Sequence, residues 1–81
     1  MDVPLIARVE CRSDTKGEER PVAVWVAGER FRVVRLSRQH LRGPAKAGEP
    51  AFYVAYASLR DGREVRLERK LPNGSWRVFS L

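Results

Sequence analysis

The side chains of this chain best suited to chemistry are arginines, and five of them lie in one segment without an acidic residue, from Arg30 to Arg42. Guanidinium groups bind phosphates and carboxylates through paired N–H donors. Residues 30–60 contain seven basic side chains and one acidic one, so their net charge of +6 equals that of the whole chain. This concentration predicts a docking surface for a polyanion or an acidic partner.

Aromatic residues near these arginines suggest which polyanion. Proteins that hold single-stranded nucleic acid combine cations along the backbone path with rings on which bases stack. The predicted binding residues are Arg30, Arg32, Arg35, Arg38, Arg42, Trp25, Tyr53, Lys70, Arg77 and Phe79. The alternative is that the rings pack beneath the N-terminal strand or a loop, while the arginines are solvated residues that deter aggregation at a sheet edge.

Catalysis finds little support in the sequence. His40 is the only histidine, and no acidic residue lies within eight positions of it. Cys11 is the only cysteine, so it forms no internal disulfide, and we expect it to be an inward, inert side chain. One His and one Cys cannot build a zinc site without several carboxylates, and the glycines stand singly at turns. We therefore expect no enzyme, no cofactor and no metal.

Length and composition predict one small folded domain over residues 1–81. The chain is 43% hydrophobic and 32% charged, and its pI is near 10.4. No apolar run approaches the roughly 20 residues of a membrane span, and we expect no signal peptide, no membrane partner and a cytoplasmic location. The excess of arginine over lysine, thirteen to three, is typical of a GC-rich or thermophilic source.

The elements that must position these side chains are strands. Short β-branched and aromatic runs between turn signals predict an all-β, six-stranded antiparallel meander forming a small, partly open barrel or a strongly twisted sheet. Ser37 is suited to cap one short helical turn over residues 37–42, ahead of a loop over 43–50. The strands are predicted at about 4–12, 21–27, 30–37, 51–60, 63–71 and 75–80.

Turn chemistry predicts the register of the later strands. A two-residue type I′ turn at Asp61-Gly62 places Phe52 opposite Leu71 and Tyr56 opposite Leu67. An Asn73-Gly74 turn then adds the last strand. The predicted core face carries Phe52, Val54, Tyr56, Leu67, Trp76 and Val78. The predicted outer face carries Tyr53, Ala55, Ala57, Arg66, Glu68, Lys70, Arg77 and Phe79.

The earlier hairpin turns within residues 27–29, so that Val24 shares a face with Phe31. Trp25 then lies opposite Arg30 or Arg32, close enough for a cation–π contact. A bulge after Val33 is expected, because the alternation of apolar and polar residues slips there. Charged residues on the strand at 63–71 are expected to form cross-strand ion pairs, namely Glu64, Glu68, Arg66 and Arg69.

Two segments resemble a known pattern: Arg-Pro-Val-Ala-Val-Trp-Val-Ala-Gly-Glu-Arg-Phe-Arg-Val-Val at 20–34 and Asn-Gly-Ser-Trp-Arg-Val at 73–78. Together they resemble a family of small uncharacterised bacterial β-domains often encoded beside Y-family translesion DNA polymerases. The chain departs from that family at Gln39-His40-Leu41, where the family usually has a tryptophan, and at Val65 or Leu67, where it has an aromatic residue. The resemblance implies a place near DNA repair or replication, and it transfers no catalytic residue.

The sequence thus favours a non-enzymatic bacterial accessory domain that binds single-stranded DNA or RNA. One alternative is a protein-interaction module that docks on an acidic partner, such as a polymerase subunit. Another is a homo-oligomer that pairs its edge strands. All three hypotheses depend on which side chains share the surface with the arginines of residues 30–42.

Overall fold

A computed structural model of the chain describes residues 3–13, 19–43, 46–72 and 74–81. Within these ranges every regular element is a strand, which confirms the all-β prediction. The strands number seven instead of six, because the first predicted strand divides at Ile6. They are β1 (Val3–Leu5), β2 (Ala7–Ser13), β3 (Glu19–Val26), β4 (Glu29–Arg42), β5 (Phe52–Leu59), β6 (Glu64–Lys70) and β7 (Trp76–Ser80).

The strands form one antiparallel sheet in the order β1-β7-β6-β5-β4-β3-β2, curled into a half-barrel. The two edge strands are consecutive in the chain and are separated by Ile6 alone. Pro4 of β1 pairs with Phe79 of β7, while Val9 of β2 pairs with Val24 of β3. The N-terminal segment therefore links the two edges of the curled sheet.

The longest strand, β4, is shared between two neighbours and bends between them. Residues Glu29–Arg32 pair with β3, and Val33–Arg42 pair with β5. The register shifts between Val33 and Arg35, where the bulge was expected, and again between Ser37 and His40. The second shift includes Arg38 in the left-handed region, with φ of 48°.

The predicted helical turn over residues 37–42 is wrong. Ser37 pairs with Tyr56, and Leu41 pairs with Tyr53, so this stretch continues the β4–β5 ladder. A ladder with β5 satisfies the backbone of these residues without the turn that Ser37 would cap. The strand consequently carries its arginines five residues further than expected, to Arg42.

The β5–β6 turn contains three residues, not two. Leu59 N–H donates to Arg63 O at 2.8 Å, and Gly62 N–H donates to Leu59 O at 2.9 Å. Gly62 has φ of +91°, while Asp61 accepts the Arg63 N–H on its side chain at 3.0 Å. Such a turn, with a left-handed Gly last, is the usual alternative to the two-residue type I′ turn.

This turn changes the face of β5. Phe52 lies opposite Lys70 and Tyr56 opposite Arg66, one residue away from the predicted register. A shift of one residue moves every side chain of a strand to the other face. Ala55 and Ala57 are therefore buried in the core, at 0% and 2% exposure, although they were predicted to be outside. The predicted core residues Phe52, Val54 and Tyr56 lie on the outer face.

The faces of β6 and β7 agree with the prediction, although their pairs are shifted by two residues. Trp76 lies opposite Arg69 and Val78 opposite Leu67, and Gly74 N–H donates to Lys70 O at 2.7 Å. A shift of two residues preserves the face of each side chain. Asn73 of the predicted turn lies outside the described residues.

The β3–β4 hairpin turns at Ala27-Gly28, one of the two positions open within residues 27–29, and both residues have positive φ, 52° and 79°. Val24 pairs with Phe31 and Trp25 with Arg30. Val24 thus shares the core face with Phe31, as expected, and Trp25 shares the opposite face with Arg30.

The hydrophobic core lies inside the half-barrel. Its buried cluster is Val24, Ala57, Leu59, Val65, Leu67 and Val78. Half-buried residues from five of the strands pack around this cluster, including Val9, Phe31 and Trp76. No helix in the described ranges is long and apolar enough to cross a membrane.

Leu67 is fully buried at the centre of this core. We expect Leu67→Ala to lower the free energy of unfolding by about 2–5 kcal/mol, because it removes apolar contacts and leaves a cavity. Leu41→Ala, at a side chain that is 69% exposed, is the matched control and should change it by less than about 0.5 kcal/mol. Urea denaturation measures both, and equal losses would contradict this position of the core.

Candidate nucleic-acid interface

Alternation along four neighbouring strands places most of the cationic side chains on the convex side of the sheet, which we call the outer arginine face. It lies opposite the core, and every member belongs to β4, β5, β6 or β7. Its residues are Arg30, Arg32, Arg35, Arg38 and Arg42 of β4, Phe52 and Tyr56 of β5, Glu64, Arg66, Glu68 and Lys70 of β6, and Arg77 and Phe79 of β7.

The five arginines of β4 are all exposed. Arg32 lies opposite Ala23, Arg35 opposite Ser58 and Arg42 opposite Phe52. In the described part of the chain, no carboxylate forms an ion pair with Arg32 or Arg35. The two register shifts in β4 allow all five arginines to lie on the same face. In a strand of strict alternation, some of the five side chains would point inward.

Glu68 organises the centre of the outer arginine face. Its carboxylate, 4% exposed, accepts hydrogen bonds from Arg66 Nε at 2.8 Å, Arg42 Nη2 at 3.0 Å and Arg77 Nη2 at 3.2 Å. Burial by itself raises the pKa of this carboxyl, but hydrogen bonds and charge from Arg42 and Arg66 outweigh it, and the pKa lies below 4.5. One negative charge is thus shared by three arginines, which leaves two positive charges in a defined arrangement.

The same arginines stack on the aromatic rings of this face. Arg42 lies 4.8 Å and Arg77 5.1 Å from the centre of the Phe52 ring. Arg66 lies 4.4 Å from the ring centre of Phe79. Arg38 lies 4.2 Å from the ring centre of Tyr56. These distances are typical of cation–π contacts, and the rings are half-buried beneath guanidinium groups.

Trp25 and Arg30 form a second cluster, on the β2–β3 side of the sheet. Glu10 accepts hydrogen bonds from Trp25 Nε1 at 3.0 Å and from Arg30 Nη2 at 3.0 Å. The Arg30 hydrogen bond is the main reason that the pKa of Glu10 falls to about 2. Arg8, 5.1 Å from the ring centre, makes the cation–π contact with Trp25 that was expected from Arg30 or Arg32.

Tyr53 is the one predicted binding residue that the fold places on the wrong side. It faces the inside of the half-barrel, where its ring meets Trp76 edge to face at 5.8 Å and its hydroxyl donates to Gln39 Oε1. Phe52 and Tyr56 take its place on the outer arginine face. The sequence is also compatible with a three-residue turn over residues 60–62. A register based on that turn would have placed Phe52 and Tyr56 on the outer face.

The remaining predicted residues are where the sequence placed them. Lys70 is exposed at the edge of the face beside Phe52, and Arg77 and Phe79 share β7. The expected ion pairs of β6 form in part. Glu68 binds arginines across the sheet as described, while Arg69 pairs with Glu19 at 3.2 Å on the inner side.

The candidate catalytic groups do not meet. His40 is exposed, and its Nδ1–H donates to Arg38 O at 3.0 Å, which is the tautomer that a carbonyl acceptor requires. Cys11 is half-buried, and burial is the main cause that raises the pKa of its thiol. Among the described residues, no group of three or more His, Cys, Asp or Glu side chains is arranged to hold a metal ion.

Comparison with protein-family models, with curated proteins and with solved structures gives no match to this chain. The geometry of the outer arginine face is therefore the basis for assigning a function.

We expect Glu68→Gln to reduce the free energy of unfolding at pH 7 by about 1–3 kcal/mol, because a neutral amide leaves the three arginines without their shared charge. The pKa of Glu68 is depressed in the folded protein. Its charge therefore stabilises the fold above about pH 4.5 and loses this effect as the pH falls through the folded pKa.

The free energies of unfolding of the wild type and of Glu68→Gln should accordingly converge as the pH falls, which denaturation curves at several pH values measure. Glu64→Gln is the control on the same strand, because Glu64 is exposed and has no ion pair among the described residues. It should change stability by less than about 0.5 kcal/mol. A loss for Glu68→Gln that stays constant from pH 7 to pH 3 would contradict the role given to the carboxylate.

Proposed function

We propose that this domain binds single-stranded nucleic acid on its outer arginine face, without catalysing a reaction. The observation that carries the proposal is that all five arginines of β4 emerge on the same face as Phe52, Tyr56 and Phe79. Arginines along a strand can follow a phosphate backbone, and rings beside them can hold bases. A strand laid across β4 to β7 would meet both kinds of group.

The charge balance of this face supports a polyanion. Ten side chains of this face are charged, and eight of them are basic; the two acidic ones, Glu64 and Glu68, lie on β6. Glu68 neutralises one of the three arginines that surround it. Arg32 and Arg35 have no carboxylate partner among the described residues. Phosphate groups are the counterions that such an arrangement best accommodates.

The stacked arginines also define how bases would be held. Tyr56 lies against one guanidinium group, and Phe52 and Phe79 each lie against two. A base would therefore stack on a guanidinium plane or on a ring edge. Arginine planes are established stacking surfaces for unpaired bases. Because stacking and backbone charge are common to all nucleotides, we expect little sequence preference.

Several features of the sequence agree with this assignment. The proposal assigns no catalytic role to His40 or Cys11, because they lie on β4 and β2, which do not pair with each other in the sheet. The resemblance to β-domains encoded beside translesion polymerases supports a role in the cytoplasm near DNA replication or repair. An acidic protein partner is the competing hypothesis, and it is an outcome of the experiment below.

Reversal of two charges tests the proposal. We expect Arg32→Glu/Arg35→Glu to abolish binding of a fluorescent oligothymidylate at moderate salt while the protein remains folded. In the wild type, affinity should fall steeply with salt, since each phosphate contact releases counterions. Milder Arg→Gln changes at the same positions should reduce the slope of log affinity against log salt by about 2.

The matched control is Lys46→Glu/Arg60→Glu, which makes the same change in net charge at two exposed positions in loops. It should retain most of the affinity, because neither side chain belongs to the outer arginine face. Circular dichroism and thermal unfolding confirm that each variant is folded. Unchanged affinity in Arg32→Glu/Arg35→Glu would refute the proposal, and a nuclease-resistant acidic protein that co-purifies would favour the protein-interaction hypothesis.

A further inference from the structure

A cleft opens beside the outer arginine face where β3 and β4 diverge. Their ladder ends at the pair Ala23–Arg32. Beyond it, Glu19, Arg20 and Pro21 pair only with β2, while β4 turns away to pair with β5. The cleft has a volume of about 390 Å³. Its position is a direct result of the bend in β4.

The lining of this cleft combines apolar and cationic side chains. Its apolar residues are Pro21, Val22, Val33, Val34 and Leu36. The other five lining residues are all arginines, namely Arg12, Arg20, Arg30, Arg32 and Arg35. Five guanidinium groups around one concave site favour the binding of an anion, because several of them can donate to it at once.

The nearby carboxylates neutralise little of this charge. Glu10 pairs with Arg30 at 3.0 Å, and Glu19 pairs with Arg69 on the inner side of the barrel. In the described ranges, none of the other four arginines of the cleft has an ion pair with a carboxylate. Arg12 and Arg20 belong to β2 and β3, outside the segment that the sequence singled out.

We propose that this cleft binds a terminal phosphate monoester of a nucleic-acid strand. The inference rests on the proposed function and extends it from the outer arginine face to the end of the bound nucleic-acid strand. A phosphodiester inside a strand has one negative charge and two unesterified oxygens, whereas a terminal monoester has close to two charges and three such oxygens. The four guanidinium groups that have no carboxylate partner among the described residues match the second better than the first.

A neighbouring cavity provides room for the nucleoside attached to that phosphate. It has a volume of about 600 Å³ and shares Arg20 and Pro21 with the cleft. Tyr53 and Trp76 lie in its wall with their rings perpendicular, and Gln39 supplies an amide. Aromatic walls with a few polar groups are suited to a heterocyclic base. Trp76 therefore gives a fluorescence signal for occupancy, once Trp25→Phe removes the other tryptophan.

The experiment compares one oligothymidylate in three forms: with a 5′-phosphate, with a 3′-phosphate and with neither. Isothermal titration calorimetry gives the affinities, and Trp76 fluorescence in the Trp25→Phe protein reports the cavity. We expect one phosphorylated form to bind at least about tenfold tighter than the unphosphorylated form, a free-energy difference of about 1.4 kcal/mol. Only that form should change the fluorescence of Trp76.

Variants distinguish binding in the cleft from binding on the outer arginine face. Arg12→Gln/Arg20→Gln should reduce the affinity for the phosphorylated strand to that for the unphosphorylated one, while the affinity for the unphosphorylated strand changes little. Lys46→Gln/Arg60→Gln, with the same loss of charge, should keep the preference. Equal affinity for all three strands in the wild type would overturn the inference and leave the proposed function intact. Failure of every strand to bind would overturn both.

Discussion

The buried carboxylate of Glu68 constrains the outer surface of this domain. A carboxylate with 4% of its side chain exposed must be paired, and its partners come from three strands, Arg42 of β4, Arg66 of β6 and Arg77 of β7. These guanidinium groups in turn lie against the rings of Phe52 and Phe79. Ionic and aromatic contacts thus hold the convex side of a thin sheet, whose single hydrophobic core lies on the other side.

This arrangement divides the arginines into two groups. Some are bound to a carboxylate and act mainly in the fold, as Arg30 does with Glu10 and Arg69 with Glu19. Others, such as Arg32 and Arg35, line the cleft beside β3 without an ion pair among the described residues. The bend in β4 brings the second group together, because the strand leaves β3 after Arg32 and continues along β5. On β4, the arginines that pair with carboxylates, Arg30 and Arg42, are therefore distinct from Arg32 and Arg35, whose charge reversal tests the proposed binding.

Two turns with similar sequences show how far the fold could be predicted. The first hairpin turns at Ala27-Gly28, one of two turns compatible with its sequence, and both of those turns place Val24 on the face of Phe31. Asp61-Gly62 belongs instead to a three-residue turn, since the side chain of Asp61 accepts the Arg63 N–H and only Gly62 has positive φ. An Asp-Gly or Ala-Gly pair is compatible with a two-residue turn and with a three-residue turn. At Asp61-Gly62 the choice between these turn types depends on how β5 and β6 bury their alanines, valines and leucines. Local propensity does not contain that information.

By itself, the sequence determined the all-β class, the antiparallel order of the hairpins and the position of the charge, because β-branched runs, turn residues and arginines are local properties of the chain. It also placed Trp25 beside an arginine cluster and Arg77 and Phe79 on the outer side. Only the tertiary structure decided that Phe52 and Tyr56 replace Tyr53 beside the arginines. It also decided that Glu68 pairs with three arginines. Finally, it brought Arg12 and Arg20 to the same cleft as Arg32 and Arg35. These outcomes depend on register and on the bend of β4, and both are fixed by packing between strands that are distant in the chain.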